Sequence, residues 1–439
     1  MQLGDEYKKP VQKFHQKYPL WQADGTEMEG DYMGKALAIR ILQTLEESGF
    51  EAYFVGGCVR DWLLGRPVHD IDICTNAHPG DVIRLFPDHV PTGLKHGTVS
   101  VKIDGHFFEV TTYRTEGKYE DYRRPSDVQF VDDLRLDLER RDFTMNAMAM
   151  DLRDQLQDPF AGRDDLARKL VRAVGDPEER FREDALRLLR SVRFSAQLGF
   201  AIEAHTQNAM KQTAPLLAHI AVERVREELN KMLASAAPEK GCQLLCETKL
   251  LDYSPLLAQL FVQSTNHAWR LVHLTMLSQK WAMLMYAAGL SVSSAREVCT
   301  QLRMSKKETE ACVTLVELLL RIQPRWDEPK AIEWGPLLLE AGWEVCTDLA
   351  ALLQGCWWNR QDEALAHTLR KAHEAMPIKT VKELAVSGLD LQAALQKKPG
   401  EWIWRTLATL LSQVALQGLP NTPEDLLEAA KKEVARNEY

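Results

Sequence analysis

The chain has 439 residues, 45% of them hydrophobic and 27% charged, with a formal net charge of −9. At roughly 150 residues per domain this length predicts about three domains, and the composition excludes collagen-like, mucin-like and wholly disordered classes. The acidic balance does not advertise nucleic-acid binding, but local basic surfaces, not net charge, decide phosphate contact.

The N-terminal stretch MQLGDEYKKPVQKFHQKYPL lacks the apolar core of a signal peptide, and no apolar run approaches the ~18 residues of a membrane span. A cytoplasmic protein is expected, with no membrane and no protein partner implied. The eight cysteines, at 58, 74, 242, 246, 299, 312, 346 and 356, are scattered, and the one close pair has i,i+4 spacing in a helical pattern. They read as thiols, mostly buried, and not as a disulfide or zinc framework.

Residues 1–150 mix β-patterned runs with helices, and everything after about 165 reads as helix after helix, so the expected class is α+β: a mixed-sheet head followed by an all-α remainder. Tyr53–Val55 is a short strand running into Gly56-Gly57, and Val59–Leu64 is helical. His69–Thr75 alternates strictly, with Ile71 and Ile73 on one face and Asp70 and Asp72 on the other. The runs 98–103 and 106–113 flank Asp104-Gly105, a type I′ hairpin signal that pairs Val101 with Phe108, Val99 with Val110 and Ser100 with Glu109. Residues 115–139 are dense in charge without a steady period and read largely as a mobile loop. Further on, 180–198 reads as one amphipathic helix and 222–233 as another. Helices follow over 266–288, 306–322, 345–355 and 361–374, with breaks at Pro377–Thr380 and Pro399-Gly400 and no solenoid repeat.

The triplet Asp70-Ile71-Asp72 carries the most chemistry. Strand residues i and i+2 face the same way with Cα atoms roughly 6.5 Å apart, so two carboxylates there suit a pair of hard cations shared with substrate phosphates. The preceding glycine turn lets backbone approach a phosphate. Glu109, on the polar face of the hairpin, is either a third carboxylate of that site or one half of a structural ion pair. Glu183-Asp184-x-x-Arg187 sets an acceptor and a donor side by side on a helix, with Glu183 in the favourable orientation toward Arg187. Such a pair complements the amino donor and ring-nitrogen acceptor of cytosine and of adenine, and leaves uracil and guanine mismatched.

The run GGCVRDWLLGRPVHDID resembles the first motif of the nucleotidyltransferases that build the 3′ CCA end of tRNA, within the DNA polymerase β-like superfamily. The likeness continues through Arg140-Arg141-Asp142 with Asn146-Ala147, Gly175-Asp176-Pro177, Glu183-Asp184-Ala-Leu-Arg187 and Glu223-Arg224, and it is of the class II, bacterial and eukaryotic, type. That resemblance implies a head (1–150), neck (151–235), body (236–375) and tail (376–439). It also implies template-independent addition of CTP, CTP and ATP to tRNA by two-metal nucleotidyl transfer with release of pyrophosphate.

It makes Asp70, Asp72 and Glu109 catalytic, with Asp70 and Asp72 holding Mg2+. The implied nucleotide-binding set is Gly57, Arg60, Arg141, Asp142, Asn146, Asp184, Arg187, Arg190 and Arg193, with Glu183 orienting the base-reading pair. Arg190 and Arg193 either touch triphosphate or pair with neighbours. The tRNA contacts stay unassigned, with Lys379, Lys382 and the Gly388–Asp390 turn as candidates or as ordinary surface. The nearest alternative activities are addition of A alone and, further off, bacterial poly(A) polymerisation. An HD-type phosphohydrolase would need more histidines on helices, and a binding-only relative would not need Asp70, Asp72, Asp184 and Arg187 together.

Overall fold

The computed structural model describes residues 28–117, 119–120, 124–125, 128–262, 270–322, 332–356 and 363–436. Internal contacts divide the chain into two compact units, one ending at Ala258 and the other starting at Gln259.

The first unit opens with helix α1 (Met28–Glu47), whose Ala38, Ile41, Leu42 and Leu45 form a buried stripe at helical spacing. Strands β1 (Ala52–Val55), β2 (Asp72–Thr75), β3 (His89–Gly93), β4 (Thr98–Ile103) and β5 (His106–Thr112) follow, with α2 (Gly57–Leu63) after β1 and α3 (Pro79–Leu85) after β2. Next come β6 (Arg114–Glu116), β7 (Tyr119–Glu120), β8 (Arg124–Pro125), β9 (Val128–Phe130), α4 (Leu134–Glu139), β10 (Ala149–Met150) and β11 (Leu156–Gln157). Seven strands form one sheet in the order β11-β10-β1-β2-β5-β4-β3, parallel only between β2 and β5 and hence mixed.

Period-2 alternation gives the sheet two different faces. Phe54, Ile73, Val99, Val101, Phe108 and Val110 point into the main core with α1, α2 and α3. On the other face Val55, Cys74 and Ala149 are covered by Tyr113, Leu138, Ala147 and Val174. The hairpin forms as expected, with Asp104 and Gly105 both at positive φ (48° and 86°) and all three forecast pairs in register.

Three local expectations are corrected. The strand expected over 69–75 begins only at Asp72, because its partner β1 ends at Val55, opposite Asp72, and the chain then turns away at Gly56. Asp70 therefore lies in the segment leading into β2. The 115–139 segment is not mainly loop: β6 pairs with β9, β7 with β8, and Asp133 caps α4 by accepting the Arg135 N–H at 2.8 Å. Residues 118, 121–123 and 126–127 of that segment lie outside the described residues.

The helix expected over 180–198 is two helices, α6 (Pro177–Glu183), which follows α5 (Gly162–Ala167), and α7 (Leu186–Leu198). At the break Asp184 adopts extended backbone (φ −132°, ψ 101°), its carboxylate accepts the Leu186 N–H at 3.1 Å and its carbonyl accepts the Arg187 N–H at 3.0 Å. An aspartate is a better helix cap than helix interior, and here it starts α7.

The unit is completed by the parallel pair β12 (Leu170–Val171) and β13 (Ala201–Ile202) and by α8 (Ala204–Thr213), α9 (Val222–Leu233) and α10 (Pro238–Glu247). After α11 (Pro255–Phe261) the second unit has only helices in its described residues: α12 (Leu277–Ala287), α13 (Val292–Gln301), α14 (Lys306–Ile322), α15 (Trp334–Cys356), α16 (Glu363–Ala375), α17 (Gly388–Leu395), α18 (Glu401–Gln417) and α19 (Pro423–Arg436), with short 3-10 turns between. Over the expected 266–288 helix, 263–269 lie outside the described residues, a 3-10 turn spans Leu271–His273 and the α-helix starts at Leu277. Gly342, at φ 82°, breaks α15 internally. No helix among the described residues is long and apolar enough to cross a membrane.

Gly56 sets the turn out of β1 with φ 79° and ψ −129°, a region that side chains avoid, and a Cβ built there would come 3.1 Å from a guanidinium nitrogen of Arg141. Gly56→Ala is expected to destabilise the protein by about 1–3 kcal/mol, read as a lower midpoint in denaturant unfolding.

Candidate active site

A cavity of about 1090 Å³ lies in the first unit, walled by the Gly56–Asp61 turn, the approach to β2, Arg140–Asn146, α7 and α9. It gathers Gly57, Arg60, Asp70, Asp72, Arg141, Asp142, Asn146, Asp184, Arg187, Arg190 and Arg193 from segments more than 130 residues apart. Ten cationic side chains and six carboxylates line it among the described residues, so this surface is basic on a chain of net charge −9. Glu109 is not part of that lining, but it sits on β5 directly opposite Asp72 across the parallel pair.

Asp72 is held above the usual carboxylate range: burial pushes it up, Arg141 opposes, and the negative charges of Glu109 and Asp70 add to the push. Crowded carboxylates that resist ionising together are a donor set suited to a hard divalent cation, which would offset their repulsion. Among the described residues no three His, Cys, Asp or Glu side chains converge as a closed ligand cage. Asp70 and Asp72 fit a divalent ion and would hold it through their carboxylate oxygens.

The arginines are pinned by acids. Asp137, fully buried on α4, accepts from Arg140 at 2.8 Å and from Arg141 at 3.1 Å, and burial, which would raise its pKa, loses to these two cations. Arg140 also reaches Glu116 at 3.1 Å, tying β6 to the same cluster. Although buried, Arg141 Nε has no hydrogen-bond partner among the described residues, so one N–H of this side chain remains for an anion.

A second network runs from Arg60, which donates to Asn146 Oδ1 at 2.7 Å, through Asn146 Nδ2 to Asp142 Oδ1 at 3.0 Å, and on to Arg190, whose Nε donates to Asp142 Oδ2 at 2.8 Å. Burial favours the neutral acid, but Arg190, Asn146 and Arg187 outweigh it and hold Asp142 down at about 2. Arg193 is committed elsewhere: its Nε donates to the buried Glu228 of α9 at 2.5 Å. Of the two readings for Arg193, neighbour pairing is therefore observed, while Arg190 pairs with Asp142 on the cavity wall.

At the start of α7, Glu183 pairs with Arg187 at 2.7 Å, as its spacing predicts. Arg187 also donates to the carbonyls of Arg180 (3.1 Å) and Arg140 (2.8 Å). The expectation of Asp184 and Arg187 on one helix face is corrected by the break at Asp184. Both still line the cavity, and Asp184 is braced by Arg224 of α9 at 2.9 Å.

Sequence reading left Arg224, Asp137 and Phe194 out of the site. Glu223-Arg224 was visible as a motif, but its partner is 40 residues away and only folding joins them. Phe194 carries the guanidinium of Arg193 3.8 Å from its ring centroid, with Arg60 at 5.1 Å and Arg190 at 5.3 Å. Among the tail candidates, Asp390 is spent on a capping box with Ser387 at the start of α17, and Lys379 Nζ donates to the Met376 carbonyl at 3.3 Å.

The sequence profile of the Poly A polymerase head domain matches residues 52–172, that of an RNA and SrmB binding site of polymerase A matches 199–260, and that of a tRNA nucleotidyltransferase domain 2 matches 272–430. The CCA-adding enzyme of Geobacillus kaustophilus is 41% identical over 389 residues, covering 88% of this chain and 94% of that one. The chain belongs to the CCA-adding enzyme family. A relative of the same name from Bacillus mycoides is 39% identical over 394 residues, covering 89% and 96%. The crystal structure of the Bacillus stearothermophilus CCA-adding enzyme in complex with CTP superposes with a TM-score of 0.82 at 36% identity, covering 92% of this chain and 98% of that one. The membership is of the class II, bacterial type, and it agrees with the mixed-sheet head and the helices that follow.

Asp142→Asn is expected to cost about 3 kcal/mol of stability at neutral pH, because it strips a partly buried guanidinium of its counter-charge. An unfolded aspartate titrates near 3.9. The stabilisation is therefore fully present above that value, and it is lost as pH falls toward about 2. Unfolding free energies of both proteins measured from pH 7 to 2 should differ by a constant amount down to about pH 4.5 and then converge.

Proposed function

We propose that the cavity binds CTP and ATP in turn, Asp70 and Asp72 forming its reactive end with Glu109 beside them on β5, and Asp184 with Arg187 its base-reading end. The chain is a nucleotidyltransferase that adds CCA to the 3′ end of tRNA, using CTP and ATP without a template. The observation that best supports the site assignment is the position of Asp72, crowded by Glu109 and Asp70 and facing Arg141.

The family's chemistry uses a divalent metal, and we assign it as Mg2+, held by Asp70 and Asp72. When bound there it supplies charge neutralisation at the phosphates and lowers the pKa of a coordinated hydroxyl. The protein's own groups do the rest. Arg60 and Arg141 meet triphosphate oxygens, so that negative charge accumulating on the leaving pyrophosphate faces fixed cations. Asp142 and Asn146 are placed to accept from and donate to a ribose hydroxyl, which favours ribonucleotides. Glu109, opposite Asp72, helps orient the attacking 3′-hydroxyl.

Arg187 is held by Glu183 and two carbonyls, and Asp184 by Arg224, so neither side chain is free to follow a wrong base. A base that mismatches them leaves buried polar groups unpaired, which is heavily penalised. We further assign the neck, body and tail boundaries as 151–235, 236–375 and 376–439, and place the enzyme in the cytoplasm with its nucleotide and tRNA substrates. The charged segment from Arg114 to Glu139, joined to Arg140 through Glu116, is the part we assign to reshaping the pocket between C and A addition.

The test uses purified protein, Mg2+ and tRNA transcripts ending at the discriminator base, at C and at CC, with CTP and ATP separately and together. All three should grow to CCA; extension of the CC-ending transcript alone, by one A, would make this an A-adding enzyme. Asp72→Asn should lower incorporation by about 100- to 1,000-fold, the scale of a lost transition-state electrostatic contact, while tRNA binding by gel shift persists.

A further inference from the structure

Residues directly paired across a sheet present their side chains to the same face. The registers Asp72↔Glu109, Glu109↔Ser100 and Ser100↔Val90 therefore draw one row across that face, from β2 out to the edge strand β3. Two residues before Glu109 on β5, Phe107 lies on the same face opposite Lys102 of β4, whose Nζ is 5.8 Å from the ring centroid. Toward β1 this face is covered by the Tyr113 and Leu138 cluster. Toward β3 Phe107 is 59% and Val90 42% exposed, with Ser100 between Glu109 and Val90 buried beside Thr92, while Phe108, one residue along and on the opposite face, is buried. Folding asks for an apolar side chain at 108 and not at 107.

In-line displacement sets the attacking oxygen on the far side of phosphorus from the departing pyrophosphate. The nucleotide cavity is lined by Gly56, Arg60, Arg141 and Asp142 and, beyond the end of β5, by His96, Arg114 and Glu116, while neither Glu109 nor Phe107 lines it. The strand that carries the attacking hydroxyl has to arrive from the Glu109 side. Resting on the nucleotide assignment above, we propose that the β5–β4–β3 face is the track for the 3′ end of the tRNA, with a base of that strand stacked on Phe107 and a phosphate met by Lys102. Among the described residues Lys102 has one ion pair, a 3.9 Å contact to the exposed Asp88. An aromatic platform beside a single cation suits a strand whose terminal bases change between steps, because every base has a stacking face.

The test compares full-length wild type with Phe107→Ala, Phe107→Tyr and Lys102→Ala on the CC-ending transcript with ATP and on the discriminator-ending transcript with CTP. Phe107→Ala should raise KM for both transcripts about tenfold with KM for ATP and CTP unchanged, and Phe107→Tyr should restore the wild-type value. Lys102→Ala should weaken tRNA binding and flatten its log-log salt dependence by about 0.7. In addition, p-benzoylphenylalanine at position 107 should crosslink to the terminal nucleotides of bound tRNA. Unchanged KM for tRNA in Phe107→Ala, an equal rise in KM for nucleotide, or a crosslink confined to the body of the tRNA would each overturn the track while leaving the activity intact. Wild-type protein that extends neither transcript would overturn the nucleotide assignment, and the track with it.

Discussion

A charge removed from water must meet an opposite charge or a set of hydrogen bonds, and the first unit is organised around satisfying that constraint many times over. Asp137, Asp142 and Glu228 are buried carboxylates, and each holds at least one arginine by an edge. Their shared effect is orientation. A guanidinium clamped through one edge has lost its rotamer freedom before a ligand arrives, so less entropy remains to be lost when a phosphate meets its other edge. Arg141 is the clearest case: NH2 is tied to Asp137, Nε is unpartnered among the described residues, and the side chain stands against Gly56 at the turn out of β1.

Asp72 departs from this pattern. Burial is the main cause of its raised proton affinity; Arg141 opposes it, and the negative charges of Glu109 and Asp70 add to it. The unit therefore contains a cationic cradle and, beside it, a small anionic spot. That contrast suits a substrate made of a polyanion and a divalent ion, as the proposed assignment requires. The net charge of −9 belongs to the rest of the surface and says nothing about this cavity.

The sheet assigns its two faces to different work. One is apolar over β1, β2, β5 and β4 and anchors α1 to α3. The other is covered near β1 and carries the carboxylates of Asp72 and Glu109 at its middle. Because β2 and β5 run parallel while β4 and β5 form a hairpin, Glu109 is brought opposite Asp72 although 37 positions separate them in the chain. At the other wall, the interruption between α6 and α7 lets one aspartate cap a helix and face the cavity together with Arg187.

Much of this was legible in the sequence because the signals were local. Alternation and the Asp104-Gly105 turn determined the hairpin and its register, helical periodicity marked most of the helical remainder, and ordered motifs identified the family. Spacing alone gave the Glu183–Arg187 pair. Tertiary structure decided what depends on partners distant in the chain. β2 starts at Asp72 because β1 ends at Val55, the described parts of the charged 115–139 segment form strands and a helix through pairing and a buried acid, and Asp184 leaves the helix to cap α7 and meet Arg224. Local propensity is a property of a few neighbouring residues, whereas an ion pair or strand pairing between residues tens of positions apart exists only after the loop between them has closed.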